Sequence, residues 1–293
     1  MLCHGCSNAM NGQIHLHTKA SDGWITPKDV LESGLEFIAV TDHDILDAVE
    51  SFRQLEKEGI MVIPGIELTT THLGQSLHML IYYPEYGQEF LDALDSIKKT
   101  RNTRAVKVAE NLERQGFYCP GEELARKCAA LSRGNIADFV LSFEQNRKIL
   151  AEKGITDSRH FMNEYISRDK PAYIPFEKIE FRNLAKLVSG IKVLAHPGYD
   201  LDMGKDDHII KDLAENYGLA GIEANSRKHT PEETEYYNKL AKELGLVVTT
   251  SADAHRVEQL TQSTIDYSLI EKLKEKYARL NNTADTCSCC SCL

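Results

Sequence analysis

The chain of 293 residues carries a formal charge of −10, and 42% of its residues are hydrophobic and 27% charged. These proportions are typical of a globular protein, and no apolar run reaches the roughly 18 residues that a membrane-spanning helix needs. The negative charge argues against a protein that binds long nucleic acids by neutralising many phosphates. The first residues show no charged segment followed by an apolar one, so we expect a cytoplasmic protein.

The first predicted strand contains IHLHT, with a histidine at every second position. In an extended strand, His15 and His17 point to one face while Ile14 and Leu16 point to the other. Two interpretations follow: an edge strand with its polar face in solvent, or two imidazoles that converge on one site. The later strands favour the second interpretation.

Seven short apolar runs predict strands, and helix-like segments separate several of them. The predicted strands cover residues 13–17, 36–44, 60–67, 76–83, 191–198, 219–225 and 246–255. Thr26 and Pro27 predict a helix start and Gly34 its end, and residues 45–58 and 231–243 have the apolar period of helices. Strands that alternate with helices predict a mainly parallel α/β sheet.

Residue types that ligate metals or take part in catalysis follow most of these strands. They are His43, Glu67, His196, Glu223, Asp253 and His255. Each lies at or just beyond the C-terminal end of a predicted strand, which is where α/β barrels build their active sites. We therefore expect His15 and His17 to face the same site.

Residues 88–175 contain no convincing strand and predict a helical insertion that returns to the barrel through the proline-containing connector 169–175. Residues 98–175 carry 15 Lys and Arg against 10 Asp and Glu, so a basic segment lies within an acidic chain. This segment is either a solvated helical surface or a cap that attracts an anionic substrate.

The two ends of the chain, residues 1–11 and 281–293, contain six of the eight cysteines. Such clusters can bind a soft metal or oxidise to disulfides, but CSCCSC is too tightly spaced for one tetrahedral site. In a cytosolic chain we expect reduced, disordered tails.

Six motifs occur in order along the chain. They are HLHTKASDG, VTDHD, PGIE, a following strand with HML, LAHPG and SADAH. Together they resemble the motifs of the PHP (polymerase and histidinol phosphatase) family of metal-dependent phosphoesterases. The resemblance implies a distorted seven-stranded α/β barrel formed by residues 12–87 and 176–280, with residues 88–175 as a helical insertion and a cluster of divalent ions at the C-terminal face.

The resemblance also assigns nine metal ligands. They are His15, His17, Asp22, His43, Glu67, His78, His196, Asp253 and His255. One divalent ion takes roughly four to six donors, so nine donors point to two or three ions. Imidazoles and carboxylates without a thiolate favour Mn, Fe or Zn over Ca or Mg.

Two ions about 3.5 to 4 Å apart activate a water as the nucleophile for phosphoester hydrolysis. We expect Glu67 and Asp253 to hold the bridging geometry. His196 or His255 is expected to protonate the departing alkoxide.

Four residues, Arg133, Lys170, Arg227 and His229, are predicted to bind the substrate phosphate, and Lys228 is a further candidate. The segment SRGNIADFV resembles the family's insertion motif and assigns Arg133, and GIEANSRKHTPEE assigns His229 with Arg227 and Lys228 beside it. Lys170 precedes the connector. Each cation is alternatively a solvated surface residue, but the bidentate contacts that arginine makes to phosphate favour Arg133.

The chain departs from the family pattern at positions that bear on the substrate. Asn135 stands where the pattern commonly has histidine, and Ser251 and Ala252 replace the usual Gly-Ser before the closing aspartate. The nine ligands are unaffected. These differences bear only on the assignment of the substrate.

The leading hypothesis is a phosphatase that hydrolyses a phosphate monoester of a small nucleotide, such as a nucleoside 3′,5′-bisphosphate or monophosphate. The alternatives are a 5′-3′ exonuclease on short RNA, a histidinol-phosphate-type phosphatase and a non-catalytic metal or nucleotide sensor. The expected partners are thus a small phosphorylated metabolite or a short oligonucleotide, and neither long nucleic acid nor membrane.

Overall fold

A computed structural model of the protein describes residues 10–286, and the predicted cysteine-rich clusters at residues 3–6 and 287–292 lie outside this range. Within it, eight strands form one sheet that curls into a nearly closed barrel. The strands are β1 Asn11–Leu16, β2 Phe37–Val40, β3 Met61–His72, β4 Gln75–Tyr86, β5 Val188–Leu194, β6 Leu219–Ser226, β7 Val247–Ser251 and β8 Ile265–Asp266.

The sheet has the order β7-β6-β5-β4-β3-β2-β1-β8. The end of β1 also meets the segment after β7, because His17 N donates to Ala254 O at 2.8 Å and Ala254 N donates to His15 O at 2.9 Å. This contact brings the two ends of the sheet together and confirms the predicted α/β barrel. The two-residue β8, which pairs antiparallel with β1 at Asn11 and Gly12, adds a strand to the seven predicted.

β4 departs from the expected parallel arrangement. It pairs antiparallel with both β3 and β5. The reason is the two-residue connection Leu73-Gly74, both with positive φ (49° and 84°), which is too short for a helical crossover. As a result, the N-terminal part of β4, which carries His78, lies at the same barrel edge as the C-terminal ends of the parallel strands.

Helices cover the barrel and form the insertion. Around the barrel are α1 Pro27–Ser33, α2 Val49–Arg53, α8 Phe181–Leu184, α9 Pro197–Asp200, α10 Asp207–Asn216, α11 Pro231–Glu243 and α12 Ser268–Thr286. In the insertion are α3 Gln88–Arg114, α4 Gly121–Ala125, α5 Arg133–Ser142, α6 Glu144–Glu152 and α7 Ser158–Phe161. Among the described residues, no helix is long and apolar enough to cross a membrane.

The helix predicted from residue 45 begins only at Val49 and continues as a 3-10 helix over Gln54–Glu58. Asp44 explains the late start, because its side chain accepts a hydrogen bond from Thr69 N at 2.7 Å on β3 and does not cap a helix. At the other end, α12 extends six residues beyond the predicted barrel boundary at residue 280, to Thr286.

The predicted ends of α1 are confirmed. Thr26 forms a capping box with Asp29, Pro27 occupies the first turn, and Gly34 ends the helix in the left-handed conformation at φ 76°.

The insertion has a hydrophobic core of its own. Its buried members all lie between Ala105 and Ala172 and include Val108, Leu112, Phe117, Leu131, Ile136, Val140, Leu150, Phe161 and Ile166. Each large apolar side chain in such a core stabilises the fold by about 1.5 to 3 kcal/mol. This separate core supports our proposal that residues 88–175 form a subdomain.

A buried ion pair attaches the insertion to the barrel. Arg101 of α3 is 7% exposed, and its Nε donates to Asp44 Oδ2 at 2.8 Å. Its Nη2 donates to Thr69 Oγ1 at 2.6 Å. A second contact joins α5 to the loop after β1, where Asn135 Nδ2 donates to Ser21 O at 3.0 Å. The insertion therefore meets the barrel at the edge that carries the predicted ligands.

The variant Asp44→Ala leaves the buried guanidinium of Arg101 without a carboxylate. We expect the free energy of unfolding to fall by about 3 to 5 kcal/mol, measured by urea denaturation. The matched control is Glu32→Ala, which breaks the exposed Lys28–Glu32 pair (side chains 79% and 65% exposed) and is expected to change stability by less than about 0.5 kcal/mol. Equal losses in the two variants would contradict the anchoring role of Arg101.

Candidate metal centre

The structure brings all nine predicted ligands together at one edge of the barrel. They form four overlapping groups whose ligand atoms lie within 4.8 Å of one another. The groups are His17, Asp22, His43 and His255; His15, His17, Glu67 and Asp253; His43, Glu67 and His78; and His78, His196 and Asp200. The assignment of these residues as metal ligands is our proposal, and the shared geometry supports it.

Glu67 lies at the middle of the cluster and is fully buried. Its Oε2 is 3.1 Å from His17 Nε2 and 3.0 Å from His43 Nδ1. Its Oε1 is 3.1 Å from His196 Nε2. Because the two oxygens face different imidazoles, the carboxylate is placed to bridge two cations.

Glu223 orients His15. His15 Nδ1 donates to Glu223 Oε1 at 3.0 Å, which directs Nε2 to positions 3.3 Å from both Glu67 and Asp253. Glu223 is itself held by Ser251 Oγ at 2.6 Å. The hydrogen bond from a histidine to a carboxylate is the usual way in which proteins fix the tautomer of a metal-binding imidazole. The sequence analysis placed Glu223 at a strand end but assigned it no role.

Asp42 holds the loop that carries Asp22. It accepts hydrogen bonds from Thr18 N at 2.8 Å and Thr18 Oγ1 at 2.7 Å, and from Ser21 Oγ. These hydrogen bonds fix the backbone of the loop that leads to Asp22. Asp42 therefore positions the proposed ligand Asp22 through this loop.

Two of the proposed ligands have strained backbones. His196 has φ 24° and Asp253 has φ 47°, in the region that residues with a side chain rarely occupy. His196 lies two residues after β5, and Asp253 lies two residues after β7. The turn that each makes brings its side chain into the cluster, and strain of this kind concentrates at functional sites.

Asp200 was missed by the sequence analysis. Its Oδ2 accepts from His78 Nδ1 at 2.8 Å and lies 3.5 Å from His196 Nδ1. The sequence feature that could have identified Asp200 is its position four residues after the histidine of HPGYD, at the end of the short α9.

Lys228, which the sequence places beside His229, lies next to the proposed ligands. Its Nζ contacts Asp253 Oδ2 and lies 4.7 Å from the ring centroid of Tyr199. The amine is thus a fixed positive charge beside a proposed ligand.

Opposite charges stabilise one another in this buried cluster. Burial opposes the charge of His15, but nearby carboxylates, led by Glu223, raise its pKa well above the usual value. Burial also opposes the charge of His17, yet the adjacent carboxylates of Asp253 and Glu67 raise its pKa to about 10. Burial favours protonation of Glu67, but the imidazoles of His43 and His15 lower its pKa well below the usual value.

The donor atoms fit divalent ions. Among the described residues, no hydrogen bond reaches His17 Nδ1, Glu67 Oε2 or Asp253 Oδ1, although all three atoms are buried. Buried polar atoms without hydrogen bonds are rare because they carry a desolvation cost. Metal coordination satisfies such atoms, and the mixture of imidazole and carboxylate donors suits Mn, Fe or Zn.

The predicted substrate-binding residues separate into two kinds. Arg133 begins α5 and is exposed, and no described carboxylate pairs with it. Lys170 instead pairs with Glu164 at 3.7 Å, with 38% of its side chain exposed.

The side chains of Arg227 and His229 form hydrogen bonds to backbone atoms. Arg227 donates through Nε to Ala252 O. His229 Nδ1 donates to Ala224 O at 2.9 Å, and its Nε2 accepts from Gly198 N at 2.9 Å. These contacts position the loops that carry Asp253 and His196, and the phosphate-binding role of Arg227 and His229 stays a prediction.

The raised pKa of His17 makes the stability of the protein without bound ions dependent on pH. A pKa raised from 6.5 to about 10 stabilises the fold fully below pH 6.5, and this contribution is lost as the pH rises towards 10. We expect the melting temperature to fall over this range in chelator-treated protein and to change less after Mn is added, since ligands bind metal in the deprotonated form.

The variant His17→Gln is expected to reduce this pH dependence in chelator-treated protein, whereas His160→Gln on the insertion surface leaves it unchanged. Melting curves at several pH values measure both. A steep fall that persists in His17→Gln would show that another group is responsible.

Two curated relatives cover most of the chain. The 5′-3′ exoribonuclease Rnm of Escherichia coli is 28% identical over 258 residues, which cover 83% of this chain and 84% of the relative. The 3′,5′-nucleoside bisphosphate phosphatase of Chromobacterium violaceum is 25% identical over 258 residues, which cover 84% of this chain and 87% of the relative.

Two solved structures share the fold. An amidohydrolase from Chromobacterium violaceum aligns with a TM-score of 0.74 and 23% identity, covering 90% of this chain and 96% of that one. A chain proposed to be a metal-dependent phosphoesterase, from Bifidobacterium adolescentis, aligns with a TM-score of 0.70 and 24% identity, covering 90% and 95%. At this level of identity the two structures support the barrel architecture only.

The family model described as the PHP domain matches residues 13–280, which include every strand from β2 to β8 and most of β1. The matched range contains all nine proposed ligands. This chain therefore belongs to the PHP domain family.

Proposed function

We propose that this PHP domain, a metal-dependent phosphoesterase, hydrolyses a phosphate monoester of a small nucleotide, such as a nucleoside 3′,5′-bisphosphate or a nucleoside monophosphate. The observation that carries the proposal is the cluster of nine imidazole and carboxylate groups beside an insertion whose Arg133 pairs with no carboxylate within residues 10–286. Such a site has donors for two or three divalent ions and a cation for the phosphate of the substrate.

The curated relatives support a nucleotide substrate. One is named as a phosphatase of nucleoside 3′,5′-bisphosphates and the other as a 5′-3′ exoribonuclease. Both names describe the cleavage of a phosphoester of a nucleotide. This shared chemistry ranks a nucleotide above histidinol phosphate for the present chain.

Different residues of the chain have different roles in the proposed hydrolysis. Divalent ions, when bound, supply Lewis acidity and a nucleophile from water at neutral pH. Glu67 and Asp253 hold their negative charge in the buried centre, because neighbouring cationic groups lower the pKa of both carboxyls well below the usual value. Both carboxylates would therefore hold divalent ions in their charged form. Lys228 adds a positive charge beside Asp253 that attracts an anionic substrate.

Of the two predicted proton donors, the structure favours His255. His196 is 1% exposed, and its two nitrogens face Glu67 and Asp200. The nitrogens of His255 also have neighbours, with Nδ1 2.9 Å from Asp253 O and Nε2 3.4 Å from Asp22 Oδ1, but 25% of its side chain is exposed. A leaving group therefore approaches His255 more readily than the buried His196.

A second candidate is a 5′-3′ exonuclease on short RNA. The basic insertion beside the metal centre and the similarity to an exoribonuclease favour it. The non-catalytic sensor has less support, because all nine predicted ligands are present and close together.

A direct comparison of substrates ranks these functions. We expect the Mn-loaded protein to release phosphate from adenosine 3′,5′-bisphosphate faster than it cleaves a 5′-phosphorylated tetranucleotide, because the small nucleotide needs only the centre and its adjacent cations. Initial rates at matched concentrations measure the difference. Faster cleavage of the tetranucleotide reverses the ranking, and no turnover of any nucleotide supports the sensor.

Two variants separate metal binding from substrate binding. His17→Ala removes a donor of two ligand groups, so we expect it to lose bound metal and at least about 100-fold in kcat/KM. Arg133→Ala is expected to keep its metal and raise KM about 10-fold or more, the effect of one lost charge-assisted hydrogen bond. Metal analysis and steady-state kinetics measure both.

The control for Arg133→Ala is Arg114→Ala, which removes an equally charged side chain, 71% exposed, at the end of α3. It is expected to leave KM unchanged. If Arg133→Ala behaves like this control, Arg133 does not bind the substrate.

A further inference from the structure

The two oxygens of the Asp253 carboxylate face different kinds of neighbour. Oδ1 lies 3.3 Å from His15 Nε2, 3.1 Å from His17 Nε2 and 3.5 Å from His255 Nδ1. Oδ2 instead contacts Lys228 Nζ. Of the two oxygens, Oδ1 is therefore the one directed at the imidazoles of other proposed ligands.

Glu67 differs from Asp253 in this respect, because both of its oxygens face imidazoles. Oε2 lies 3.3 Å from His15 Nε2, and Oε1 lies 3.1 Å from His196 Nε2. Within residues 10–286, no lysine or arginine forms an ion pair with either oxygen of Glu67. The sequence predicts that Glu67 and Asp253 both bridge ions, but only Glu67 presents two oxygens to proposed ligands.

The loop after β6 directs Lys228 to Asp253. Lys228 N donates to Ser226 Oγ at 3.2 Å. The preceding residue, Arg227, donates through Nη2 to Asp253 O at 3.3 Å, and the following residue, His229, donates through its backbone N to Ser226 O at 3.0 Å. Because hydrogen bonds hold the residues on both sides of Lys228, its amine reaches Asp253 from a fixed backbone.

Lys228 keeps its positive charge although only 24% of its side chain is exposed. Burial opposes the charge, but the carboxylates of Asp253 and Glu67 raise the pKa of Lys228 above its usual value. The Tyr199 ring, whose centroid is 4.7 Å from Nζ, meets the His196 ring edge-on at 5.7 Å. Lys228 is therefore a permanent positive charge between Asp253 and an aromatic ring at the rim of the centre.

An ammonium group and a divalent ion compete for the same carboxylate oxygen. Two cations roughly 4 Å apart repel each other, and the repulsion is stronger in a buried site than in water. An ion that bound Asp253 Oδ2 would have to displace the amine, which would leave a partly buried charge without its partner. The contact with Lys228 thus disfavours an ion at Oδ2.

We propose that Lys228 limits the number of divalent ions in the centre. Its amine takes the place of an ion at Asp253 Oδ2, so that Asp253 coordinates through Oδ1 alone and does not bridge. The inference rests on the metal centre of the proposed function and adds to it a positioning residue that controls metal content.

The test measures Mn binding to chelator-treated protein by calorimetric titration, and Mn per chain after dialysis against defined free Mn. Lys228→Gln and Lys228→Met both remove the charge, and the glutamine keeps a hydrogen-bond donor for Oδ2. Both variants are expected to hold more Mn per chain than the wild type. The affinity for the most weakly bound ion is expected to rise about 10-fold or more, because the competing charge is gone.

Two control variants complete the design. Lys228→Arg keeps the charge and is expected to bind Mn as the wild type does. Lys205→Gln removes a cation, 69% exposed, that pairs with Asp202 just beyond α9, and is expected to leave Mn binding unchanged. Circular dichroism establishes that each variant is folded. If Lys228→Met does not fold, Lys228→Gln decides the outcome.

The direction of the effect separates two roles of Lys228. If the lysine only holds Asp253 in position, both uncharged variants bind Mn more weakly than the wild type, and the inference is overturned. Unchanged Mn binding overturns it as well. If the Mn-loaded wild type hydrolyses no nucleotide, the proposed function fails, but the Mn affinities still decide the role of Lys228. If neither the wild type nor any variant binds Mn, the metal centre and this inference fail together.

Discussion

The metal centre depends on the burial of the Glu67 carboxylate among imidazoles. A charged group in the interior carries a large desolvation cost unless opposite charges surround it. Here the surrounding groups come from the exits of different strands: His17 from β1, His43 from β2 and His196 from β5. The barrel makes this arrangement possible, because its parallel strands end at one edge and the residues that follow them lie close together there.

The ligands are held by a layer of buried polar residues behind them. Glu223 orients His15, and Asp42 fixes the loop before Asp22. Arg227 and His229 perform a similar task, since their contacts to backbone atoms hold the turns that carry Asp253 and His196. Each of these residues therefore positions a proposed ligand through a hydrogen bond to a side chain or to the backbone.

The insertion and the barrel contribute different parts of the site. The barrel supplies every donor of the four ligand groups, whereas α3 and α5 of the insertion carry Arg101 and Arg133. The Asp44–Arg101 pair joins the two parts and keeps the insertion over the centre. An arrangement of this kind allows the chemistry to stay constant in the barrel while changes in the insertion alter which phosphate compound is bound.

The sequence by itself determined the α/β barrel, the helical interval between residues 88 and 175 and the nine residues that meet at the barrel edge. It could do so because ligand residue types recur at strand ends, and the ends of parallel strands coincide in space. The tertiary structure decided the antiparallel β4, the short β8 and the contacts that the cations make. In sequence, Arg227, Lys228 and Arg133 are equivalent cations near motifs. Only folding shows that the first binds backbone carbonyls, the second contacts Asp253 and the third has no carboxylate partner, because those contacts join residues far apart in the chain.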